Sequence, residues 1–301
     1  MKYDILADWR INMLCNFKCK YCFFSVFIES DKKQNIEDRE SDIKKIVKGF
    51  NESGLTWLIH ITGGEPFLQP NFLDLCKGLT KEHYIAINTN LSVGIVYDFA
   101  EQINPKKVAF IHCSLHIDER KRLNLVEDFI SKYHYLKKHN FNIFVTQVLY
   151  PPILQRFDKI FDFFRKNGII VRPKVFRGYY KQKHYPANYT KEEREKILKY
   201  CGISKDLDNS KPLYIDPNLD KKFIYGDLSF SGLLCKAGKD YVAIEPDGEV
   251  MRCYGVATKI GNIFEGKINL LKKPEPCSAR VCPCPYAGLK YAEGVPKILH
   301  I

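Results

Sequence analysis

The sequence predicts an α/β fold in which parallel strands alternate with helices. Between residues 9 and 176, six short apolar runs are separated by stretches whose apolar residues recur at helical spacing. Two glycines follow the second run, and the third run ends in Asn88-Thr89-Asn90, as expected where strands end in turns. Since helices that connect parallel strands cross over on the faces of the sheet, this order predicts a parallel sheet covered by helices.

The elements can be placed in order along the chain. The predicted strands are 9–14, 57–62, 84–88, 107–115, 143–149 and 169–176. Apolar stripes between them predict helices, and we interpret these stripes as core rather than as cofactor contacts. The stripes consist of Ile43, Ile46, Val47 and Phe50, then Phe72, Leu75, Cys76 and Leu79, then Phe157, Ile160, Phe161 and Phe164.

Length and composition limit the class of protein. The chain has 301 residues, enough for one large or two modest domains, and its 45% hydrophobic fraction suits a packed core. It has no run of about 18 apolar residues and no signal-peptide layout at residues 1–5, so we expect no membrane partner. Eleven cysteines would suit a small disulfide-rich secreted protein, but this length instead indicates metal sites in the reducing cytoplasm.

The formal net charge of +12 has two interpretations. One is an anionic partner, and the other is a lysine-rich composition with solvated helix faces. A group of basic residues, interleaved with Tyr179 and Tyr180, directly follows the last predicted strand and would place positive charge at the end of the sheet. This group consists of Arg172, Lys174, Arg177, Lys181 and Lys183.

Three cysteines, Cys15, Cys19 and Cys22, lie close together after the first predicted strand. A cubane iron–sulfur cluster takes four ligands, so three thiolates would leave one iron open to bind another molecule. A zinc loop or three unrelated thiols is the alternative, but zinc loops usually have a second Cys-x2-Cys pair nearby. With the aromatic Tyr21 before the third cysteine, the segment resembles the signature of the radical S-adenosylmethionine (radical SAM) enzymes.

The resemblance implies both cofactors and a more specific fold. It implies that Cys15, Cys19 and Cys22 hold a [4Fe-4S] cluster whose open iron binds the amino and carboxylate groups of S-adenosylmethionine (SAM). An electron from the cluster would cleave SAM, and the resulting 5′-deoxyadenosyl radical would remove a hydrogen from the substrate. The predicted sheet becomes a partial (β/α)6 TIM-like barrel over residues 1–176, with its chemistry at the carboxyl ends of the strands.

A Gly-Gly-Glu-Pro segment at residues 63–66 follows the second predicted strand. Glycines at such a position let the backbone approach a ligand closely. In radical SAM enzymes this segment contacts the SAM amino group, so the resemblance assigns SAM binding to Gly63, Gly64 and Glu65. The alternative is an ordinary turn before a helix.

Polar residues at the ends of later strands complete the candidate site. The resemblance places Asn88 and Ser114 among the residues that bind SAM, and His116 and Gln147 among the candidate catalytic residues. Ser114 and His116 share one face of their strand because strand residues alternate sides. Hydrogen bonding at strand ends is the alternative for Asn88, Ser114 and His116, and a position at a strand edge is the alternative for Gln147.

Residues 177–230 are predicted to form a polar connection or lid. Arg177, at the expected barrel mouth, is a further cofactor-binding candidate. A capping box at residues 190–193 predicts a helix to about Cys201. Cys201 is a catalytic candidate as a hydrogen-atom donor. Alternatively it is a buried thiol, as we expect for Cys76 and Cys113.

Residues 231–301 contain five more cysteines and a predicted β-hairpin around the turn at residues 246–248. The layout resembles the SPASM/Twitch extension of radical SAM enzymes, which holds auxiliary iron–sulfur clusters. Too few cysteines remain for two complete clusters, so we expect one auxiliary cluster, [4Fe-4S] in type, with a structural zinc as the alternative. The choice between Cys277 and Cys284 stays open among the candidate ligands Cys235, Cys253, Cys277, Cys282 and Cys284.

These inferences lead to three hypotheses of function. The first is a radical SAM oxidoreductase or epimerase acting on a small anionic metabolite such as a sugar derivative, reduced by an acidic flavodoxin- or ferredoxin-like donor. The second is a maturase or epimerase of a ribosomally made peptide, although the cysteine loop starts at residue 15 and leaves no room before it for a peptide-recognition domain. The third is a non-catalytic, metal-containing RNA-binding protein, but the scattered basic residues do not favour a nucleic acid partner.

Overall fold

The computed structural model describes residues 1–22, 40–207, 222–282 and 297–299. Six parallel strands lie side by side in chain order and form one side of a ten-stranded sheet, up to its edge. Among the described residues β6 is an edge strand, so the barrel is open, and the predicted partial barrel is confirmed. The six strands are β1 (Ile5–Asn12), β2 (Trp57–Gly63), β3 (Tyr84–Thr89), β4 (Val108–Ser114), β5 (Ile143–Val148) and β6 (Val171–Lys174).

Helices connect these strands and bury the predicted apolar stripes. Phe50, Phe72 and Phe164 are fully buried in one core together with the residues that β1–β6 turn toward the helices. Short 3₁₀ turns cover Pro66–Leu68 and Pro105–Lys107. The helices are α1 (Glu40–Glu52), α2 (Phe72–Leu79), α3 (Val96–Gln102), α4 (Ile117–Arg122), α5 (Val126–Lys138), α6 (Pro151–Gln155) and α7 (Phe157–Lys166).

The segment after β6 is more regular than its polar composition predicts. It forms an antiparallel hairpin of β7 (Gly178–Tyr180) and β8 (Lys183–Tyr185), followed by α8 (Lys191–Leu207). The capping box forms, because the Thr190 amide donates to the Glu193 carboxylate and the Glu193 amide donates to the Thr190 hydroxyl. The helix continues beyond Cys201 and packs against β6 and α7.

The C-terminal strands extend the same sheet on the other side of β1. Strand β11 pairs in parallel with β1, and the predicted hairpin of β11 and β12 continues antiparallel into β13 and β14. The remaining strands form short pairs, β9 with β16 and β10 with β15. The strands are β9 (Asp227–Ser229), β10 (Leu234–Cys235), β11 (Tyr241–Ile244), β12 (Glu249–Cys253), β13 (Val256–Asn262), β14 (Lys267–Ile268), β15 (Glu275–Pro276) and β16 (Lys297–Leu299).

A second core lies on the face of the sheet that turns away from the helices. There Leu58, Phe110 and Phe144 pack with Leu228 and Phe230 of the C-terminal segment. Burial of these side chains holds the C-terminal segment over the inner face of the barrel. No helix in the described part of the chain is long and apolar enough to cross a membrane.

Candidate active site

The cysteine loop directly follows β1. Cys15, Cys19 and Cys22 are half-buried and close enough to interact electrostatically. Burial raises the pKa of Cys15 to about 11, although hydrogen bonds from the Phe17 amide and the Asn90 side chain lower it. Burial also raises the pKa of Cys19. A metal would have to displace these protons, since thiolates rather than thiols are the ligands.

Several hydrogen bonds hold this loop against the strand ends. The Lys18 amide donates to the Glu119 carboxylate (2.9 Å), and the Tyr21 hydroxyl lies 3.1 Å from Nδ1 of His116. The Asn90 amide group donates to Oδ1 of Asn16 (3.0 Å) and lies 3.9 Å from the Cys15 sulfur. Asn90 is not among the predicted site residues, although the Asn-Thr-Asn run at the end of β3 contains the signal.

The Gly-Gly-Glu turn packs against the end of β1. The Gly64 amide donates to the Asn12 carbonyl (3.0 Å) and the Glu65 amide to the Leu14 carbonyl (2.6 Å). A Cβ on Gly64 would lie 2.0 Å from that Leu14 oxygen, and Gly63 has a φ of +134°. The glycines are therefore needed for a close approach within the protein, to the backbone that leads into the cysteine loop.

The Glu65 carboxylate is fully buried and bonded within the protein. It accepts hydrogen bonds from the Thr89 hydroxyl (2.7 Å) and from the amides of Asn90 (2.6 Å) and Phe67 (3.1 Å). Burial raises its pKa to about 6, against these hydrogen bonds, which lower it. The side chain therefore ties β2 to the end of β3.

The other predicted SAM-binding residues lie together at adjacent strand ends. The Ser114 hydroxyl donates to Oδ1 of Asn88 (3.3 Å), and Nδ2 of Asn88 lies 3.4 Å from the Thr62 hydroxyl. These side chains point to the inner face of β2, β3 and β4, next to the glycine turn.

The two predicted catalytic residues on this side, His116 and Gln147, both contact Tyr21. The Gln147 side chain donates to the Tyr21 hydroxyl (3.2 Å) and accepts from the Ile117 amide (3.1 Å). Burial is the main cause that lowers the pKa of His116 to about 3, so its imidazole is neutral at physiological pH. This geometry places them where they orient the cysteine loop.

Two other predicted site residues lie elsewhere. Arg177 forms an ion pair with Asp227 (2.7 Å) and donates to the Cys282 carbonyl (3.2 Å), so it links the barrel to the C-terminal segment. Cys201 lies in α8 and packs against the helix-side core. Neither residue is part of the cluster of side chains around the cysteine loop.

The inner face of the barrel also contains polar pairs that sequence reasoning missed. Asp8 and His60, on adjacent strands, lie 3.0 Å apart and are almost fully buried. Tyr241 of β11 donates to the same aspartate (3.4 Å). On β4 and β5, Nε2 of His112 lies 2.7 Å from the Thr146 hydroxyl. Only their strand pairing brings these residues together, so no local motif reveals them.

The C-terminal cysteines gather under the inner face of the sheet. Cys235, Cys253 and Cys277 are buried in the second core, with Cys282 packed against it. Burial raises the pKa of Cys277, and Cys282 and Cys253 add to this electrostatically. Cys284 lies outside the described residues.

Neither group of cysteines has the geometry of a single-ion site. In the described ranges, no three His, Cys, Asp or Glu side chains are placed to hold a metal ion. Each thiolate of a cubane cluster binds a different iron, so its ligands need not converge on one point.

Comparison with known proteins gives matches in sequence and in fold. The sequence model of the radical SAM superfamily matches residues 10–164. A Methanocaldococcus jannaschii protein, named as a candidate glycyl-radical enzyme activating enzyme, is 32% identical over 204 residues, which are 63% of this chain and 73% of that protein. A GTP 3′,8-cyclase of Vibrio vulnificus is 40% identical over 62 residues, 21% of this chain and 18% of the cyclase.

Solved structures share the fold at low sequence identity. Native anSMEcpe with bound AdoMet superposes with a TM-score of 0.58 at 19% identity, covering 87% of this chain and 78% of its own. SuiB of Streptococcus suis bound to S-adenosylmethionine superposes with a TM-score of 0.54 at 18% identity, covering 87% of this chain and 62% of its own.

Proposed function

The chain belongs to the radical SAM superfamily, and we propose that it cleaves SAM reductively to remove a hydrogen from its substrate. One observation carries the proposal. The cysteine loop after β1 lies against the glycine turn after β2 and is bonded to Asn90 after β3 and His116 after β4. Four adjacent strand ends thus meet at the loop, at the end of the barrel where such folds carry their chemistry.

The residues at this end suit the family's cofactors, SAM and a [4Fe-4S] cluster. Cys15, Cys19 and Cys22 would hold the cluster, since they are soft donors within one loop and two of their sulfurs already interact with polar groups. When bound, the cluster supplies the electron that cleaves SAM, and the adenosyl fragment leaves as 5′-deoxyadenosine after taking a substrate hydrogen. The backbone of residues 63–65, with Asn88 and Ser114, would bind SAM.

We further propose one auxiliary [4Fe-4S] cluster, held by Cys235, Cys253, Cys277 and Cys282. These four lie together against the inner face of the sheet. Buried Arg252 supports this ligand set, since its guanidinium donates to the carbonyls of Ala237 (3.1 Å) and Glu275 (2.8 Å), near two of the cysteines. An auxiliary cluster here would face the barrel interior, where it can accept an electron or anchor the substrate.

For the substrate we propose a small anionic metabolite, such as a sugar derivative, that is dehydrogenated or epimerised. Arg172 and Lys174 of β6 both act electrostatically on His112 of the inner face. Positive charge there favours an anion inside the barrel. The buried Asp8–His60 pair is a candidate acceptor for a substrate proton, because its two groups are held 3.0 Å apart on adjacent strands.

The test uses the full chain, purified without oxygen and reconstituted with iron and sulfide. It is mixed with SAM, dithionite and cell extract that has been divided by ultrafiltration, and 5′-deoxyadenosine is measured. We expect the low-mass filtrate to stimulate its formation and the Cys19→Ser variant to form none. If the wild type forms no 5′-deoxyadenosine with either fraction, the proposed activity is wrong.

A peptide or protein substrate is the second candidate. The observation that favours it is the Methanocaldococcus jannaschii relative, whose name implies that it acts on an enzyme. In the same experiment, stimulation by the retained fraction alone would favour this candidate over the metabolite.

We propose an acidic flavodoxin- or ferredoxin-like protein of the cytoplasm as the electron donor, because the chain carries a net charge of +12. Reduction of the cluster by flavodoxin should slow as ionic strength rises from about 0.01 to 0.15 M, since the Debye length falls from about 30 to 8 Å. The rate by stopped-flow absorbance, compared with reduction by dithionite, checks this. A flavodoxin rate independent of salt would count against electrostatic docking.

A further inference from the structure

Arg120 of α4 is fully buried at the strand ends. Its Nε donates to the Leu115 carbonyl (2.6 Å), and its Nη2 donates to the carbonyls of Asn90 and Ser114. These carbonyls lie at the ends of β3 and β4. One guanidinium therefore joins two of the strand ends that meet at the cysteine loop.

The same guanidinium packs between two aromatic rings. It lies 4.0 Å from the ring centre of Phe129 and 5.4 Å from that of Phe17. Phe17 belongs to the cysteine loop, and its amide donates to the Cys15 sulfur. Arg120 thus contacts the loop through the Phe17 ring, and it interacts electrostatically with Cys19.

Arg120 has no anion beside it in the described part of the chain. Among the described residues, its buried Nη1 has no hydrogen-bond partner, and no carboxylate lies within ion-pair distance of the guanidinium. Glu65 and Asp128 act on it only at longer range. Burial lowers its pKa to about 10, so it stays protonated at neutral pH. A buried charge without a close partner is costly, which indicates that a ligand supplies the opposite charge.

Neighbouring residues contact the loop from the same helix. His116, Glu119 and Arg120 share one helical face, since they are three and four residues apart. They contact Tyr21, Lys18 and Phe17 respectively. The start of α4 therefore packs against the cysteine loop, and Arg120 is the fully buried cation of this helix.

We propose that Arg120 is a positioning residue that anchors the cysteine loop and serves as counter-charge to the cluster that the loop holds. The inference rests on the proposed function, because it takes Cys15, Cys19 and Cys22 as cluster ligands. A thiolate-bound cubane cluster is anionic, and reduction adds another negative charge. A nearby cation in a low-dielectric site therefore favours the reduced cluster.

The first test measures the midpoint potential of the reconstituted full chain by a redox titration followed by electron paramagnetic resonance. The signal that changes on addition of SAM identifies the cluster of the cysteine loop. We expect Arg120→Met to lower the ratio of reduced to oxidised cluster about tenfold at a given potential, which is about 59 mV for one electron. Arg120→Lys should stay near wild type because it keeps the charge. Arg165→Met, at an exposed position on α7, is the matched control.

The second test measures hydrogen exchange of the amides of residues 16–22 in the cluster-free protein. Arg120→Lys loses part of the guanidinium's hydrogen bonding, so these amides should exchange about tenfold faster than in the wild type. Arg165→Met should leave them unchanged. This readout needs neither cluster nor substrate.

Each outcome decides part of the proposal. An Arg120→Met protein with full iron and the wild-type potential would overturn the counter-charge, and wild-type exchange in Arg120→Lys would overturn the anchor. If Arg120→Met does not fold, Arg120→Gln replaces it, because glutamine is uncharged but its side-chain amide still donates a hydrogen bond. If the wild type shows no SAM-responsive cluster, the proposed function fails, and the exchange experiment still tests the anchor.

Discussion

The Tyr21 hydroxyl lies between His116 and Gln147, 3.1 Å from Nδ1 of the histidine and 3.2 Å from the amide nitrogen of the glutamine. The histidine is neutral because burial lowers its pKa to about 3, so Nδ1 can accept the hydroxyl proton. The hydroxyl in turn accepts from Gln147. Both of its hydrogen-bonding roles are used, and the aromatic residue between Cys19 and Cys22 is fixed in one orientation.

Removal of this hydroxyl should loosen the loop. Tyr21→Phe leaves a buried donor of Gln147 and an acceptor of His116 without a partner, which costs about 1–3 kcal/mol. We expect the cluster-free variant to unfold at least about 2 °C below the wild type in a circular dichroism melt, and to take up less iron. Tyr179→Phe is the control, since Tyr179 is 74% exposed. Equal melting temperatures for Tyr21→Phe and wild type would contradict this role.

Gly64→Ala should disrupt the cysteine loop through the backbone that leads into it. The new Cβ would lie 2.0 Å from the Leu14 carbonyl oxygen, a backbone atom next to Cys15. Overpacking of this kind costs about 1–3 kcal/mol or moves the backbone. We expect a lower free energy of unfolding in urea and reduced iron uptake.

Gly94→Ala is the matched control for this change, because a Cβ there meets nothing within 4 Å. If Gly64→Ala keeps wild-type stability and iron content, the close approach of Gly64 to the Leu14 carbonyl does not require a glycine at residue 64.

Local patterns predicted the number and order of the parallel strands, because most strands of the barrel are apolar runs, but β1 is Ile5–Asn12 rather than the predicted 9–14. They could not predict that β11 pairs with β1, since the Leu6–Tyr241 register joins residues from opposite ends of the chain. The polar pairs of the inner face depend on such pairing as well. Asp8 and His60 become neighbours only through the register of β1 and β2.

Charge patterns also predict burial poorly at this site. The sequence around Arg120 has five charged residues in six, which is typical of a solvated helix, yet Arg120 is fully buried. The sequence reveals the Gly-Gly-Glu-Pro segment, but it does not predict the direction of the Glu65 side chain. Its carboxylate is held by two donors at the end of β3, the Thr89 hydroxyl and the Asn90 amide, and by the Phe67 amide in the turn after β2.

A pH dependence of stability follows from His83, which is 2% exposed at the start of the sheet. The Trp57 amide donates to its Nδ1 (3.4 Å), so the ring is neutral with its proton on Nε2. Burial lowers its pKa from 6.5 to about 4. As the pH falls, the unfolded state therefore takes up a second ring proton before the folded state does, and the stabilisation present above pH 6.5 is lost as the pH falls toward 4.

The shift corresponds to at most about 2 kcal/mol between pH 7 and 5. Urea unfolding of the cluster-free protein at both pH values measures it. His83→Asn keeps an acceptor for the Trp57 amide but does not titrate. Between pH 7 and 5 its free energy of unfolding should therefore fall less than that of the wild type, by this amount. An equal fall in both proteins would mean that His83 does not carry the effect.

Iron content tests the ligand set of the auxiliary site. With two [4Fe-4S] clusters the reconstituted wild type should hold about eight irons per chain, and Cys235→Ala should hold about four. Cys235 is buried, and β10 pairs it with Glu275, two residues before Cys277, so its loss should empty the site without disturbing the cysteine loop. SAM should still perturb the remaining cluster signal, and Cys201→Ala should keep all the iron.

Cys277→Ala and Cys284→Ala separate the two candidates for the last ligand. Cys277 lies in the second core, where Cys253 and Cys282 act on it electrostatically. We therefore expect Cys277→Ala to lose about four irons and Cys284→Ala to lose none. The reverse result would make Cys284 the ligand, with Cys277 a buried thiol that packs beside the cluster.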